Sequence, residues 1–434
     1  MKWENSIVKI KVKSTEIDLK HPLNIFGTET SSGTGFFFCN NKKLILTCYH
    51  VVKFAVDIEV IYNYKNNCKA EILYIFPDDD LAIIIIDKDY SDIVPLRFIE
   101  IKYDENYDVF TIGYPLNSKT IKISKGIISG YQESLIQTDA TLNSGNSGGP
   151  LVLKKKEKYY VIGVNVSKMV NNNAEKTGFV VPFYRFKILN NMIISCTKEI
   201  INKPVMYFSY QKLIQEELIN EIYKDYELYK TKQIGVRITF INQTFYISKF
   251  LKANDIILKV NDKELDYNGY VKFDFFPEKI NIDELGLWFA ENDDIIFTVL
   301  RDNKEIIISF KLKIIDKNLI DYHNIPSSKK YYINKNGLII SAITESHLDN
   351  IFDKLNLPPS KIIKILNRYL FQKDLFTIYL ADIDFNYNNI FHKFPIGDII
   401  IEINNKKIEN YNDFINIETI KSIKTIDNEI YYVN

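Results

Sequence analysis

Gln137-Thr138-Asp139-Ala140-Thr141-Leu142-Asn143-Ser144-Gly145-Asn146-Ser147-Gly148-Gly149-Pro150 surrounds one serine with three glycines. A hydroxyl attacks an amide near neutral pH only when a base takes its proton and aligned donors receive the oxyanion that forms. Lacking Cβ atoms, Gly145 and Gly148 permit backbone conformations closed to other residues, so the N–H groups of Gly145 and Ser147 can turn toward one point. Ser147 is therefore the candidate nucleophile, and Gly145, Asn146 and Ser147 form the candidate oxyanion-binding segment. The plainer reading, a glycine-rich surface turn, holds only if the serine has no partners elsewhere in the chain.

Working outward, the base should be a histidine, which accepts and returns a proton near neutrality. The chain has five. His50 stands in Leu46-Thr47-Cys48-Tyr49-His50-Val51-Val52, directly after a β-type run, where a strand end can hold the ring. His21, His323, His347 and His392 lie in polar or loop-like contexts and read as structural or solvent-exposed. The third partner must stay ionised and fix the imidazole tautomer. Asp78-Asp79-Asp80-Leu81-Ala82-Ile83 offers three candidates. Asp80 immediately precedes the apolar run and is best placed to point inward, whereas Asp78 and Asp79 read as a solvated turn. A calcium site there would need alternating oxygen ligands, and that spacing is missing. Histidine, aspartate, serine is the chain order of chymotrypsin-like hydrolases.

Composition narrows the remaining possibilities. Fifty-five basic and 55 acidic residues cancel, so no large positive field exists to hold a phosphate backbone, and nucleic acid is not an expected partner. Cys39, Cys48, Cys68 and Cys196 show no paired C-x-x-C spacing, which argues against a zinc site or a disulfide scaffold. No metal and no cofactor are expected. The N-terminal stretch has no apolar core of a secretory signal, and the run Leu81–Ile86 is far too short to span a bilayer. The default expectation is a soluble cytoplasmic protein without a membrane span. At 434 residues, two to four domains are expected.

The first 195 residues are short β-type runs punctuated by turn residues, among them Ile7–Val12, Leu44–Thr47, Val56–Tyr62 and Tyr159–Val166. That rhythm suits two small antiparallel barrels. A boundary is expected near Lys203-Pro204, where proline forces extended backbone on the residue before it. Ile214, Leu218 and Ile222 then recur at four-residue intervals among charged residues, which predicts one short amphipathic helix.

Together these blocks resemble the HtrA/Deg family of serine proteases. The family's T-x-x-H-V-V, D-L-A and Q-T-D-A-x-x-x-x-G-N-S-G-G-P patterns are matched by Thr47–Val52, Asp80–Ala82 and Gln137–Pro150, and Gly178-Phe179-Val180-Val181-Pro182 is similar to its closing segment. The resemblance implies a mainly β chain: a chymotrypsin-like double β-barrel protease domain over residues 1–195, then two PDZ-like α+β domains over 204–315 and 331–434. Leu251–Asn261 and Phe394–Asn404 are each similar to the family's L-x-x-G-D-V-I-L-x-V-N turn. In the first copy Asn254 stands where this turn has glycine, and Ser209 where the family's carboxylate-binding loop has it. By the same resemblance Leu142 lines an apolar substrate pocket with Val164, Asn165 and Val166 as the opposite wall. Thr141, six residues before the nucleophile, is neutral where an acidic residue would select Lys or Arg, so cleavage is expected after small or medium aliphatic residues.

The implied activity is ATP-independent serine endopeptidase action on unfolded or damaged polypeptides, with peptide segments engaged by the PDZ-like domains. No Walker-type phosphate loop is present. The alternative is a PDZ-type binding or chaperone protein whose protease domain is silent or conditionally active. A homo-oligomer built on trimers is also implied. Trp3, Ile25, Phe26 and Phe36-Phe37-Phe38 crowd aromatic and aliphatic surface into the first forty residues, and consecutive phenylalanines cannot all face one strand's own core.

Overall fold

A computed structural model describes residues 3–17, 25–38, 43–64, 66–88, 90, 93–99, 107–155, 158–166, 177–195, 200–204, 206, 208–225, 227–241, 246–314, 332–343, 358–364, 377–384, 394 and 396–433. The chain begins with six strands: β1 (Ile7–Ile17), β2 (Ile25–Phe37), β3 (Leu44–Cys48), β4 (Ala55–Tyr62), β5 (Asn66–Phe76) and β6 (Leu81–Ile86). They close a barrel in the order β1-β2-β3-β6-β5-β4. Its register is anchored by β3 and β6, Leu-Ile-Leu-Thr-Cys against Leu-Ala-Ile-Ile-Ile-Ile, whose branched side chains suit a pleated surface buried on both faces. They pair antiparallel from Leu44 with Ile85 to Cys48 with Leu81.

A second barrel follows from β8 (Asp108–Gly113), β9 (Lys122–Gln132), β10 (Leu135–Thr138), β11 (Pro150–Lys155), β12 (Lys158–Val166) and β13 (Gly178–Pro182). Its order β11-β8-β9-β10-β13-β12 is closed by the β11–β12 pairing, and the short strand β7 (Arg97–Phe98) runs parallel to β12. This is the double barrel expected of the first domain. The phenylalanine run is spent inside the chain. Phe36 and Phe37 are fully buried; Phe36 and Phe38 meet Phe98 edge-on at 6.1 and 6.3 Å, and Phe37 meets Tyr62 at 6.3 Å. Both faces of the strand are covered by the chain itself, so these phenylalanines need no partner.

The next module carries strands Phe208–Lys212, Val236–Ile241, Ile256–Val260, Asp294–Arg301 and Lys304–Lys311, in that sheet order. The expected helix spans Glu216–Ile222. Because it starts two residues later than the apolar spacing implied, Ile214 is left 65 % exposed and Ile219 is the buried anchor. Asn254 takes the glycine position of the turn at φ 71, a left-handed conformation asparagine tolerates, and Asp255 behind it is gripped by Arg301 at 2.7 and 2.6 Å. In the C-terminal module the equivalent turn uses Gly397 at φ 87, followed by Asp398 paired with Lys361 at 2.8 Å. That module's strands run in the order Tyr332–Lys335, Leu338–Ala342, Ile378–Ile383, Ile399–Ile403, Ser422–Thr425 and Ile430–Tyr432.

Contacts divide the chain into two compact units. One comprises 1–12, 30–53 and 57–315; the other comprises 13–29, 54–56 and 316–434. Within the first unit the module after residue 204 is seated on the second barrel through Trp288. Its indole is 1 % exposed and donates to the Ser134 hydroxyl at 2.9 Å, while that hydroxyl also donates to Glu284. Tyr184, on helix α2 (Phe183–Ser195), stacks on Phe275 at 4.7 Å, and Tyr131 meets Phe276 edge-on at 5.2 Å. Truncating a buried aromatic of this size removes both transfer free energy and packing. Trp288→Ala should lower unfolding stability by about 3–5 kcal/mol, read as a shifted urea midpoint, and an unchanged midpoint would contradict this seating.

Candidate active site

The register of the first barrel builds half of the site. Because Cys48 pairs with Leu81 at the strand ends, the next residues outward, Tyr49 and Asp80, face each other, and the Tyr49 N–H donates to the Asp80 carbonyl at 2.9 Å. His50 follows on the short helix α1 (Tyr49–Val52). The Asp80 carboxylate uses both oxygens on it: Oδ1 accepts from the His50 backbone N–H at 2.9 Å and Oδ2 lies 2.7 Å from Nδ1. Asp80 reaches this pose from a left-handed backbone, φ 53 and ψ 39, stabilised by its own N–H to the Pro77 carbonyl at 3.2 Å. A non-glycine residue held there marks a position that the surroundings over-determine.

The second barrel supplies the other half. Ser147 lies between β10 and β11 with Gly145 at φ 95 and Gly148 at φ 82. The Asn146 N–H closes a turn onto the Asn143 carbonyl at 2.9 Å, and the Ser144 carbonyl accepts from Leu116 N–H at 2.7 Å. In a planar trans peptide the Gly145 N–H must then point away from Leu116. A Cβ on Gly148 would stand 2.2 Å from both the Thr34 carbonyl and the Thr47 hydroxyl, and 2.8 Å from the Cys48 nitrogen. The serine loop is thus pressed against β3, the strand that leads into His50.

Thr34 rivets the two halves together, and sequence reasoning passed it over. Its N–H donates to the Ser147 carbonyl at 2.9 Å, its hydroxyl to the Gly145 carbonyl at 2.6 Å, and its carbonyl accepts from the Thr47 hydroxyl at 2.8 Å. The available signal was Gly33-Thr34-Gly35, whose glycines lie against Val51 and Ile45 with no room for a Cβ. Asn165 is a second rivet. Its carbonyl accepts from Gly148 N–H at 2.9 Å and from the Cys48 thiol at 3.2 Å, and its N–H donates to the Gly149 carbonyl at 2.8 Å.

Two expectations change. Asp79 is not solvated: its side chain is 0 % exposed and accepts from Arg185 Nε at 2.5 Å, because the turn Pro77–Asp79 folds it under helix α2. Only Asp78 of the pair is exposed. Of the four pocket residues, Val164, Asn165 and Val166 are 0–2 % exposed and locked in the β12–β13 pairing, so in this structure they offer a substrate no surface. Leu142 is half-buried, with its side chain against Gly178. His21, His323, His347 and His392 lie outside the described residues.

Cys48, His50 and Asp80 bring a thiol, an imidazole and a carboxylate within 4.8 Å of one another. A metal would need the thiolate, yet burial pushes the Cys48 thiol well up, and the nearby Asp80 charge adds to it. The cluster fits hydrogen bonding rather than metal ligation. With Nδ1 committed to Asp80, the outer ring nitrogen of His50 is the one available to exchange a proton.

Residues 33–164 match the trypsin-like peptidase domain. The chain is 28 % identical over 359 residues to the putative mitochondrial protease Do-like 3 of Arabidopsis thaliana, a match covering 80 % of this chain and 61 % of the relative. To the serine protease Do-like HtrA of Bacillus subtilis (strain 168) it is 26 % identical over 311 residues, 66 % of this chain and 64 % of the relative. It therefore spans less than two thirds of the length of either. Among solved structures, the HtrA-type protease AlgW with tripeptide shares the fold at a TM-score of 0.53 and 18 % identity, covering 70 % of this chain and 92 % of that one.

Gly148→Ala should abolish labelling of Ser147 by a fluorophosphonate probe, since its Cβ has no space and its φ of 82 suits only glycine. Mass spectrometry of the labelled peptide checks this, and full labelling would mean that the loop geometry is wrong.

Proposed function

We propose that this chain, which belongs to the HtrA/Deg family of serine proteases, is an ATP-independent serine endopeptidase for unfolded or damaged polypeptides. The observation that carries the reading is the two-oxygen grip of Asp80 on His50, joined by Thr34 to the Ser147 loop. His50 takes the Ser147 hydroxyl proton as the oxygen attacks the scissile carbonyl, and Asp80 stabilises the imidazolium that results. The N–H groups of Gly145 and Ser147 receive the oxyanion, with Asn146 closing the turn that aims them. His50 then returns the proton to the leaving amine, and water, activated by the same ring, hydrolyses the acyl ester.

The modules at 204–315 and 331–434 are read as PDZ-like. They suit recruitment of extended peptide segments by strand addition, for which the edge strand Phe208–Lys212 is the candidate in the first copy. The intact bonds from Asp80 to His50 and from Thr34 to the serine loop argue for an active protease rather than a binding protein with a silent one. Assembly on trimers rests on the family resemblance. No described helix is long and apolar enough to cross a membrane. Do-like 3 and Do-like 4 of Arabidopsis thaliana are named mitochondrial, so these relatives lend no support to a cytoplasmic location.

Purified protein should digest unfolded casein without ATP, and Ser147→Ala or His50→Ala should each lower the rate by about 10⁶-fold because nucleophile and base act as one unit. Asp80→Asn should cost about 10⁴-fold through the wrong tautomer. Product mapping should show cleavage after valine, alanine or isoleucine, with Leu142 as the apolar residue that selects them; a Lys/Arg pattern would contradict that role. Light scattering on the Ser147→Ala protein should give a trimer-based mass, and a stable monomer at micromolar concentration would rule out the assembly.

A further inference from the structure

Behind Asp80 lies a buried ion cluster that the proposed chemistry does not use. The side chains of Asp79, Arg185 and Lys203 are 0, 4 and 1 % exposed. Arg185 donates from Nε to Asp79 Oδ1 at 2.5 Å and from Nη2 to the Asp78 carbonyl at 3.2 Å. Lys203 reaches the same turn from the other side: its backbone N–H donates to Asp78 Oδ2 at 2.7 Å, and its ammonium lies 3.8 Å from Asp79 Oδ2. The ammonium is held in place by the Leu287 carbonyl at 3.0 Å, on the helical turn Leu285–Trp288. Burial pushes the Lys203 amine down, and the Asp79 charge opposes that shift.

A buried charge cluster is a poor source of stability compared with apolar packing, so its placement calls for another role. Apart from the Lys203 bond to Leu287, these contacts fall on Asp78 and Asp79, in the turn Pro77–Asp79 that launches Asp80 into its left-handed conformation. Asp80 in turn holds both the ring and the backbone of His50. We infer that Asp79, Arg185 and Lys203 are positioning residues that clamp this turn and thereby set the pose of the Asp80–His50 pair. The inference rests on the proteolytic reading above. Loosening the clamp lets the carboxylate drift, and a displacement of about 1 Å at a reacting group costs up to about 10²-fold in rate. A clamp acts on turnover and leaves substrate capture alone.

Lys203→Met is the informative variant, because it leaves the Arg185–Asp79 pair balanced. At a temperature where thermal unfolding shows it folded, its kcat on an unstructured peptide should fall about 10–100-fold with KM unchanged. In the Ser147→Ala background, the low-field resonance of the His50 Nδ1 proton should shift or broaden on adding Lys203→Met. Lys203→Arg, which keeps the charge and a donor for Leu287, should recover most of the loss. A folded Lys203→Met with unaltered kcat, or one in which only KM rises, would overturn the inference. Should Lys203→Met not fold, Arg185→Lys, which preserves the charge balance, decides by the same readouts. If the unmodified protein shows no Ser147-dependent cleavage, the proteolytic reading fails, and the imidazole resonance still decides whether the clamp positions His50.

Discussion

Everything in the site hangs on one residue held in an unfavourable backbone conformation. Asp80 sits in the left-handed region, where side chains with a Cβ are disfavoured, and from there presents one oxygen to the ring of His50 and the other to its backbone. A conformer of this kind persists only when its neighbours over-determine it. Here the pairing of Cys48 with Leu81 brings Asp80 opposite Tyr49, the Pro77 carbonyl closes the turn from behind, and Asp79 is buried beneath helix α2. Strand register, turn geometry and buried charge converge on a single carboxylate.

The second constraint is that His50 and Ser147, the proposed base and nucleophile, belong to different barrels. Two independently closed sheets have no reason of their own to hold a fixed spacing, so the bonds between them must be specific. Thr34 meets that need with its N–H on the Ser147 carbonyl and its hydroxyl on the Gly145 carbonyl, and Asn165 with a carbonyl that accepts from the Cys48 thiol. The absence of a Cβ at Gly148 is what allows the two chains to approach so closely.

Much of this was legible in the residue string, and the failures have physical causes. His50, Asp80 and the loop of Gly145 and Ser147 stand out in the string because the chemistry proposed for them demands particular residue types in particular local settings, and the structure brings His50 and Asp80 together. Asp79 was misread because a run of three aspartates looks solvated; its burial depends on Arg185 and Lys203, more than a hundred residues away. Thr34 was missed because part of its role is carried by its N–H, which every residue except proline possesses, and because the partners of its hydroxyl, Gly145 and Tyr114, are distant in the chain. The Phe36–Phe38 run was read as surplus because Phe98 and Phe186, which cover it, are distant in the chain. Val164–Val166 were read as a pocket wall, whereas their strand pairing turns them into the support of the nucleophile loop.

The seating of Trp288 on Ser134 has a consequence for how such a chain can diverge. The hydroxyl is shared between an indole and the Glu284 carboxylate, and the neighbouring Tyr184–Phe275 stack spans the same junction. Substitutions on one side therefore change what is tolerable on the other, and the hairpin tip at Ser134 and the turn at Trp288 should evolve as a linked pair. Recombination that exchanged the module after residue 204 for a homologous one would have to bring a compatible tip with it. In this molecule the unit of inheritance is larger than the unit that performs the chemistry.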